Sequence, residues 1–323
     1  MRNLLVLSFS LVFLFQTINS SATNFFNSQR MSIQSPDSTV IPFTLYKGLI
    51  FIEAHIGEKK GIFMLDTGAP SIFLNSYRFD DLEETDLVVT GINGQIKAHS
   101  KRINQLIVND VTWSNFDAVA VDLIHLEQVC KRQLLGLLGY NAFKDFELMI
   151  DYQNQELTLF KLDNKGNRLQ LTTSQPVHTG QLKMSKHLAT VEAKINEFTL
   201  KLGIDTGAQT NLLHKKWNKK LYSHFLTYQK VRVDGAIKST TQNSKGLFDK
   251  MTICEKPFQR MKTLLTDLSH FNDNYHIKLD GLLGYEFLAK SKFSINFKKK
   301  ELYFWDNIKD INPKQTDGST QEI

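Results

Sequence analysis

Cysteine is almost missing from this sequence. Cys130 and Cys254 are the whole complement, too few for a disulfide-stapled scaffold and without the paired spacing that holds zinc. They read as two unlinked buried thiols, with a disulfide left open as the alternative in an exported chain. Histidine is scattered, with no His-x-x-x-His spacing, so each of the nine reads as a surface or satisfied core residue. No metal and no other cofactor is expected. Long apolar runs are missing as well. The apolar stretch over residues 4–15 is about 12 residues long, short of the ~20 that span a bilayer. Charge of one sign is not concentrated either. The formal net charge is +6 from 39 basic and 33 acidic residues, and Lys215-Lys216, Lys219-Lys220 and Lys298-Lys299-Lys300 stand in polar surroundings. These are solvated faces, and nucleic acid is not expected as a partner.

What the chain does have is a repeat. Asp-Thr-Gly-Ala occurs at Asp66-Thr67-Gly68-Ala69 and again at Asp205-Thr206-Gly207-Ala208, each after an apolar run. Each is followed by a second apolar run, Gly136-Leu137-Leu138-Gly139-Tyr140 and Gly281-Leu282-Leu283-Gly284-Tyr285. Gly139 and Gly284 lie 145 positions apart, and that offset continues without a gap through Ile150 and Ile295 to Glu156 and Glu301. The tetrapeptides are 139 apart, so the intervening loops differ by six residues. Two copies are too few for a solenoid and fit two lobes related by a pseudo-twofold axis. A single acidic turn is ordinary; two in matching halves suggest paired carboxylates.

Both halves read as β. Residues 48–56 are rich in β-branched and aromatic side chains and reach a turn at Gly57-Glu58-Lys59-Lys60-Gly61 before a second strand, a hairpin signal. Residues 146–152 with 156–160, and 293–297 with 301–305, form matching hairpins. Helix signal is thin, confined to short turns at 141–145 and 286–290 and to 214–225. At 323 residues, two medium domains can each bury a core. Residues 1–22 read as a signal peptide, with Arg2 before the apolar run and Ser20 and Ala22 at the cleavage site; an uncleaved anchor is the alternative. Residues 40–162 and 178–305 are the expected lobes, joined by a polar linker at 162–177. Residues 23–40 are expected to be loose and 306–323 a disordered tail.

These motifs resemble the pepsin and retropepsin clan of aspartic proteases, over about residues 40–305. Ala after each Asp-Thr-Gly makes each half more similar to a retropepsin subunit than to a pepsin lobe, as in bacterial two-lobed proteins built from such halves. The resemblance implies an all-β, two-lobed aspartic-protease fold of closed β-barrels with pseudo-twofold symmetry. It implies a catalytic pair, Asp66 and Asp205. It gives Thr67 and Thr206 a hydrogen-bonded grip between the lobes, and Gly139 and Gly284, with the leucines before them, the support of the active-site loops. Gly68 and Gly207 allow a tight turn beneath each Asp and bring backbone N–H groups towards the carboxylates. Gly91-Ile92-Asn93-Gly94 is a candidate flap tip or a plain hairpin turn, with Asp234-Gly235 its weaker counterpart. Position 70 is Pro and 209 is Gln, so the loops are not identical. Ala69 and Ala208 lack the hydroxyl that pepsin-like enzymes place there, which raises the carboxylate pKa.

The implied chemistry is peptide hydrolysis. Two carboxylates about 3 Å apart share one proton, one acting as base towards water and the other as acid. The expected protein is therefore an exported aspartic endopeptidase, periplasmic or secreted, acting on peptides or proteins. It is monomeric, because one chain carries both Asp residues, and is not inserted in a membrane after signal removal. The alternative is a non-catalytic peptide-binding or structural envelope protein that keeps the fold.

Overall fold

The computed structural model describes residues 16–17, 31–91, 94–170, 172–234, 240–269, 272–273 and 278–306. The signal-peptide expectation therefore lies outside the described residues, except that Gln16–Thr17 pairs antiparallel with Val89 and Thr90. Most of the expected tail, 307–323, lies outside them too. Among the described residues no helix is long and apolar enough to cross a membrane.

The chain is all-β and builds two closed six-stranded barrels, as the resemblance implies. In the first, the neighbours run Leu49–Ile56, Lys59–Leu65, Gly136–Leu138, Ile72–Asn75, Val111–Val121 and Gly94–Val108. Pairing of His55 with Ile107 and Ile56 with Leu106 closes the ring. In the second, Leu188–Ile195, Phe198–Ile204, Gly281–Leu283, Asn211–His214, Lys256–Thr266 and Thr240–Ile253 follow the same order, closed by Ala193 with Ile253 and Lys194 with Thr252. The unbroken apolar runs have a direct cause. Along Leu49–Ile56, Ile50, Ile52 and Ala54 enter the main core while Leu49 and Phe51 enter a second cluster with Met64, Phe73 and Leu137. Both faces are buried over residues 49–52, so apolar and polar residues do not alternate there.

A six-stranded antiparallel sheet joins the halves, in the order His178–Gln181, Glu301–Phe304, Phe293–Asn296, Phe146–Asp151, Glu156–Lys161, Ser38–Pro42. At its centre Leu148 pairs with Ile295, Met149 with Ser294 and Ile150 with Phe293. Met149 and Ser294 are repeat mates, so the pseudo-twofold axis passes through that pair. Leu148, Ile150, Phe293, Ile295 and Leu302 all belong to one core shared by both barrels.

One expectation is corrected here. Residues 31–42 are not loose: Ser32–Gln34 pairs with Thr112, Trp113 and Ser114, and Ser38–Pro42 forms an outer strand of the joining sheet. Only Ile41 of that outer strand's apolar residues is buried, so the stretch looks polar while its backbone pairs along one side with residues 156–160. The linker is also tied down. Leu162 bridges to Arg168, and the Arg168 guanidinium forms a bidentate pair with buried Glu147. Cys130 and Cys254 are both free thiols.

Candidate active site

Asp66 follows the strand Lys59–Leu65 directly, and Asp205 follows Phe198–Ile204. The Leu-Leu-Gly strands lie parallel to these and set both positions. Asp66 N–H donates to Leu138 O at 2.9 Å and Asp205 N–H to Leu283 O at 3.0 Å. The chain then turns: Ala69 N–H reaches Asp66 O at 3.1 Å and Ala208 N–H reaches Asp205 O at 3.3 Å. Tyr140 N–H and Tyr285 N–H close onto Ala69 O and Ala208 O at 2.8 and 2.9 Å. That closeness explains the glycine before each tyrosine. A Cβ on Gly139 would stand 2.3 Å from Ser71 O, and one on Gly284 would stand 2.4 Å from Ala208 O.

The two turns meet at the interface between the halves. Thr67 N–H donates to Thr206 Oγ1 and Thr206 N–H to Thr67 Oγ1, both at 3.0 Å. Each hydroxyl donates onward, Thr206 to Leu65 O at 3.1 Å and Thr67 to Ile204 O at 3.4 Å. This brings the carboxyls together. The Asp66 Cγ lies 2.8 Å from where a Cβ on Gly207 would be, so only glycine leaves room for it. Asp66 and Asp205 are close enough to share a side-chain hydrogen bond once one carries a proton. Asp66 Oδ1 accepts from Gly68 N–H and Ala69 N–H, each at 3.0 Å; Asp205 Oδ1 accepts from Gly207 N–H at 2.8 Å. Both Oδ2 atoms are buried and meet no donor among the described residues.

Electrostatics follows from that packing. Both carboxyls have no exposed surface. Burial is the main cause that lifts Asp66 well above the ordinary carboxylate range. The neighbouring Asp205 charge and the hydrogen bond to Asp205 add to it, against the two backbone N–H donors. Burial also lifts Asp205, to about 6, opposed by the Gly207 N–H, the hydrogen bond from Asp66 and the Gly68 N–H. Such a pair takes up and releases protons as a unit. The arrangement holds one proton between two carboxyls over the mildly acid range.

All eight residues of the two Asp-Thr-Gly-Ala loops, with Gly139 and Gly284, thus gather in one place. The candidate flap is only partly described. Gly91 and Gly94 pair at the end of the antiparallel strands Glu83–Gly91 and Gly94–Val108, while Ile92 and Asn93 lie outside the described residues. Leu87 and Val89 of that hairpin belong to the same packed cluster as Ala69. In the second half Asp234 pairs with Thr240, and Gly235 lies outside the described residues.

Two residues near the dyad carry no motif. The Tyr152 ring sits edge-on to Tyr285 at 5.5 Å, mirrored by Tyr140 against Phe297 at 5.1 Å. Phe297 is the repeat mate of Tyr152, so the phenol exists on one side only. Burial, then the Tyr285 and Asp205 charges, push that phenol up and keep it protonated. His187 Nε2 bonds the Gly68 carbonyl at 2.8 Å across the interface. The available signal was the repeat itself: both residues stand where mates near the motif differ, Tyr152 against Phe297 and His187 against Gly48.

A family model described as aspartyl protease matches residues 52–142 and, a second time, 191–287. Each match spans one Asp-Thr-Gly-Ala loop and its Leu-Leu-Gly strand, so the chain consists of two retropepsin-like halves. No curated protein matches the chain.

Proposed function

We propose that this chain, which belongs to the aspartyl protease family, is an exported endopeptidase whose Asp66 and Asp205 together activate a water molecule. One observation carries this: a buried carboxyl from each half meets the other at the pseudo-twofold interface, close enough to hold a single proton between them. The ionised member takes a proton from water as it attacks the scissile carbonyl carbon. The protonated member gives its proton to the carbonyl oxygen. Collapse of the tetrahedral diol breaks the C–N bond: the proton gained from water passes to the leaving nitrogen, and a diol hydroxyl returns a proton to the other carboxylate, which restores the singly protonated pair. The N–H groups of Gly68, Ala69 and Gly207 hold the inner oxygens, which leaves the outer ones for water and substrate. Both carboxyls are fully shielded, so peptide reaches them only after what covers them moves aside.

Both carboxyls come from one chain, so a monomer is catalytically complete. Export rests on the basic Arg2, the short apolar run and the small residues Ser20 and Ala22. The test is cleavage of an unfolded protein or peptide library by purified chain, alongside Asp66→Asn and Asp205→Asn. Each single variant is expected to lose cleavage and keep its fold. A wild-type chain that binds peptides and cleaves none at any pH from 3 to 8 would leave only a binding role.

A further inference from the structure

We infer that His187 is a positioning residue for the dyad: its ring N–H holds the Gly68–Ala69 peptide so that the N–H of that same peptide is directed at Asp66. The geometry is a relay across the two halves. A carbonyl oxygen only accepts, so the 2.8 Å bond to Gly68 O requires the hydrogen on His187 Nε2. Gly68 C=O and Ala69 N–H belong to one peptide unit, and Ala69 N–H donates to Asp66 Oδ1 at 3.0 Å. A donor on the carbonyl end polarises the N–H at the other end, and chains of this kind strengthen one another in a shielded site. The relay therefore favours the ionised form of Asp66.

The second half has no equivalent. The turns match: Lys47 and Lys186 are both left-handed, at φ 49° and 56°, and precede Gly48 and His187. Gly48 has no side chain to reach the mirrored Gly207 carbonyl, and none fits. A Cβ there would stand 2.6 Å from the Tyr285 Cγ. Both alanine N–H groups reach the carbonyl of the preceding Asp, at 3.1 and 3.3 Å, but among the described residues Ala69 N–H alone also reaches the carboxylate, at 3.0 Å. The two halves are thus unequal beside Asp66, one of the two carboxyls that must serve as base and acid.

His187 does this without titrating in the working range. Burial pulls it down to about 4, opposed by the Gly68 bond and helped by Lys186 beside it. The other ionisable groups bearing on the dyad are the two carboxyls themselves and the protonated Tyr152 phenol facing Asp205.

Given the dyad assignment above, the test reads the carboxyls both directly and through turnover. In protein with carbon-13-labelled aspartate, the Asp66 titration, assigned by its loss in Asp66→Asn, is followed by NMR. His187→Ala is expected to raise that value by about half to one pH unit, since a donor to the charged form is lost. It should lower kcat about three- to tenfold with KM within about twofold, the pattern of a group that acts on the reacting carboxyl rather than on binding. His187→Gln, whose amide N–H can take the same bond, should restore both. If the alanine variant does not fold, His187→Met, near glutamine in size but without a donor, replaces it. A titration unmoved in the donor-free variant, or equally displaced with glutamine, overturns the inference. A wild type that cleaves nothing yet shows the His187-dependent titration removes the protease assignment and leaves this relay intact.

Discussion

Thr67 and Thr206 exchange two hydrogen bonds at 3.0 Å, each backbone N–H on the other's hydroxyl. Both residues are buried, so removing one hydroxyl strands the partner's N–H with no water to replace it. Thr67→Val and Thr206→Val should each cost about 1–3 kcal/mol in denaturant unfolding. Thr→Ser at either position keeps the hydroxyl and should cost much less. Equal losses for Val and Ser would show that the methyl packing, not the exchanged bonds, matters at this interface.

The dyad should also be visible in stability. Both carboxyls lie above their ordinary value of 3.8 in the fold, so the folded state binds more protons than the unfolded chain between about pH 4 and 6. Their contribution is favourable at the acid end and is lost as pH rises through the folded values. Asp205→Asn removes that loss. It should be more stable than wild type at pH 7.5, by on the order of 2–3 kcal/mol at about 1.4 kcal/mol per unit of displacement. The gain should shrink as pH falls towards 4. An Asn variant less stable than wild type at pH 7.5 would mean the buried carboxylates are better satisfied than their neighbours suggest.

The same displacement sets the working pH. Turnover needs one carboxyl ionised and one protonated, and Asp205 sits at about 6 in the closed site. The rate should fall as pH drops below that region. Ala69 and Ala208 act in the same direction, since neither supplies a hydroxyl to the charged form. Ala69→Ser should move the acid limb to lower pH if its hydroxyl reaches Asp66. A wild-type optimum below pH 3 would contradict the argument and leave the dyad assignment untouched.

The repeat made two lobes and their axis legible in the sequence, because residues 139–156 match 284–301 without a gap, while the closed barrels came from the resemblance to retropepsin. It also made the two aspartates legible, as the acidic residue that opens the same Asp-Thr-Gly-Ala tetrapeptide after an apolar strand in both halves. Other features depend on contacts between distant residues. The helix Ile124–Cys130 has no side-chain cap at Leu123 and is seven residues long. It is held instead by Glu127, which accepts from Arg78 at 2.7 Å and from Leu134 N–H at 2.7 Å. Strand Ser38–Pro42 shows few buried side chains and contributes chiefly backbone bonds, which periodicity cannot detect. His187 is one of nine scattered histidines in the sequence, and only its contact with Gly68 across the interface distinguishes it.

The linker supplies the last prediction. Glu147 is buried in the central strand Phe146–Asp151, and its carboxylate is gripped from three directions. Arg168 binds it at 2.5 and 3.1 Å, Ser294 Oγ at 2.5 Å and Asn296 Nδ2 at 3.4 Å. Ser294 and Asn296 come from the other half, so this cluster ties both hairpins and the linker into one unit. The guanidinium also lies over the rings of Phe160 at 3.7 Å and Trp305 at 4.5 Å. Arg168→Ala leaves a buried carboxylate with its charge uncompensated and should cost about 3–5 kcal/mol. The pair as a whole is worth far less than that, because both ions gave up water to form it. Arg168→Met with Glu147→Gln should therefore recover most of the loss, glutamine still accepting from Ser294 and methionine filling the space over the rings. Urea unfolding of the two variants against wild type decides it. A double variant as unstable as Arg168→Ala would show that the ion pair itself, not the stranded charge, holds the two halves in register.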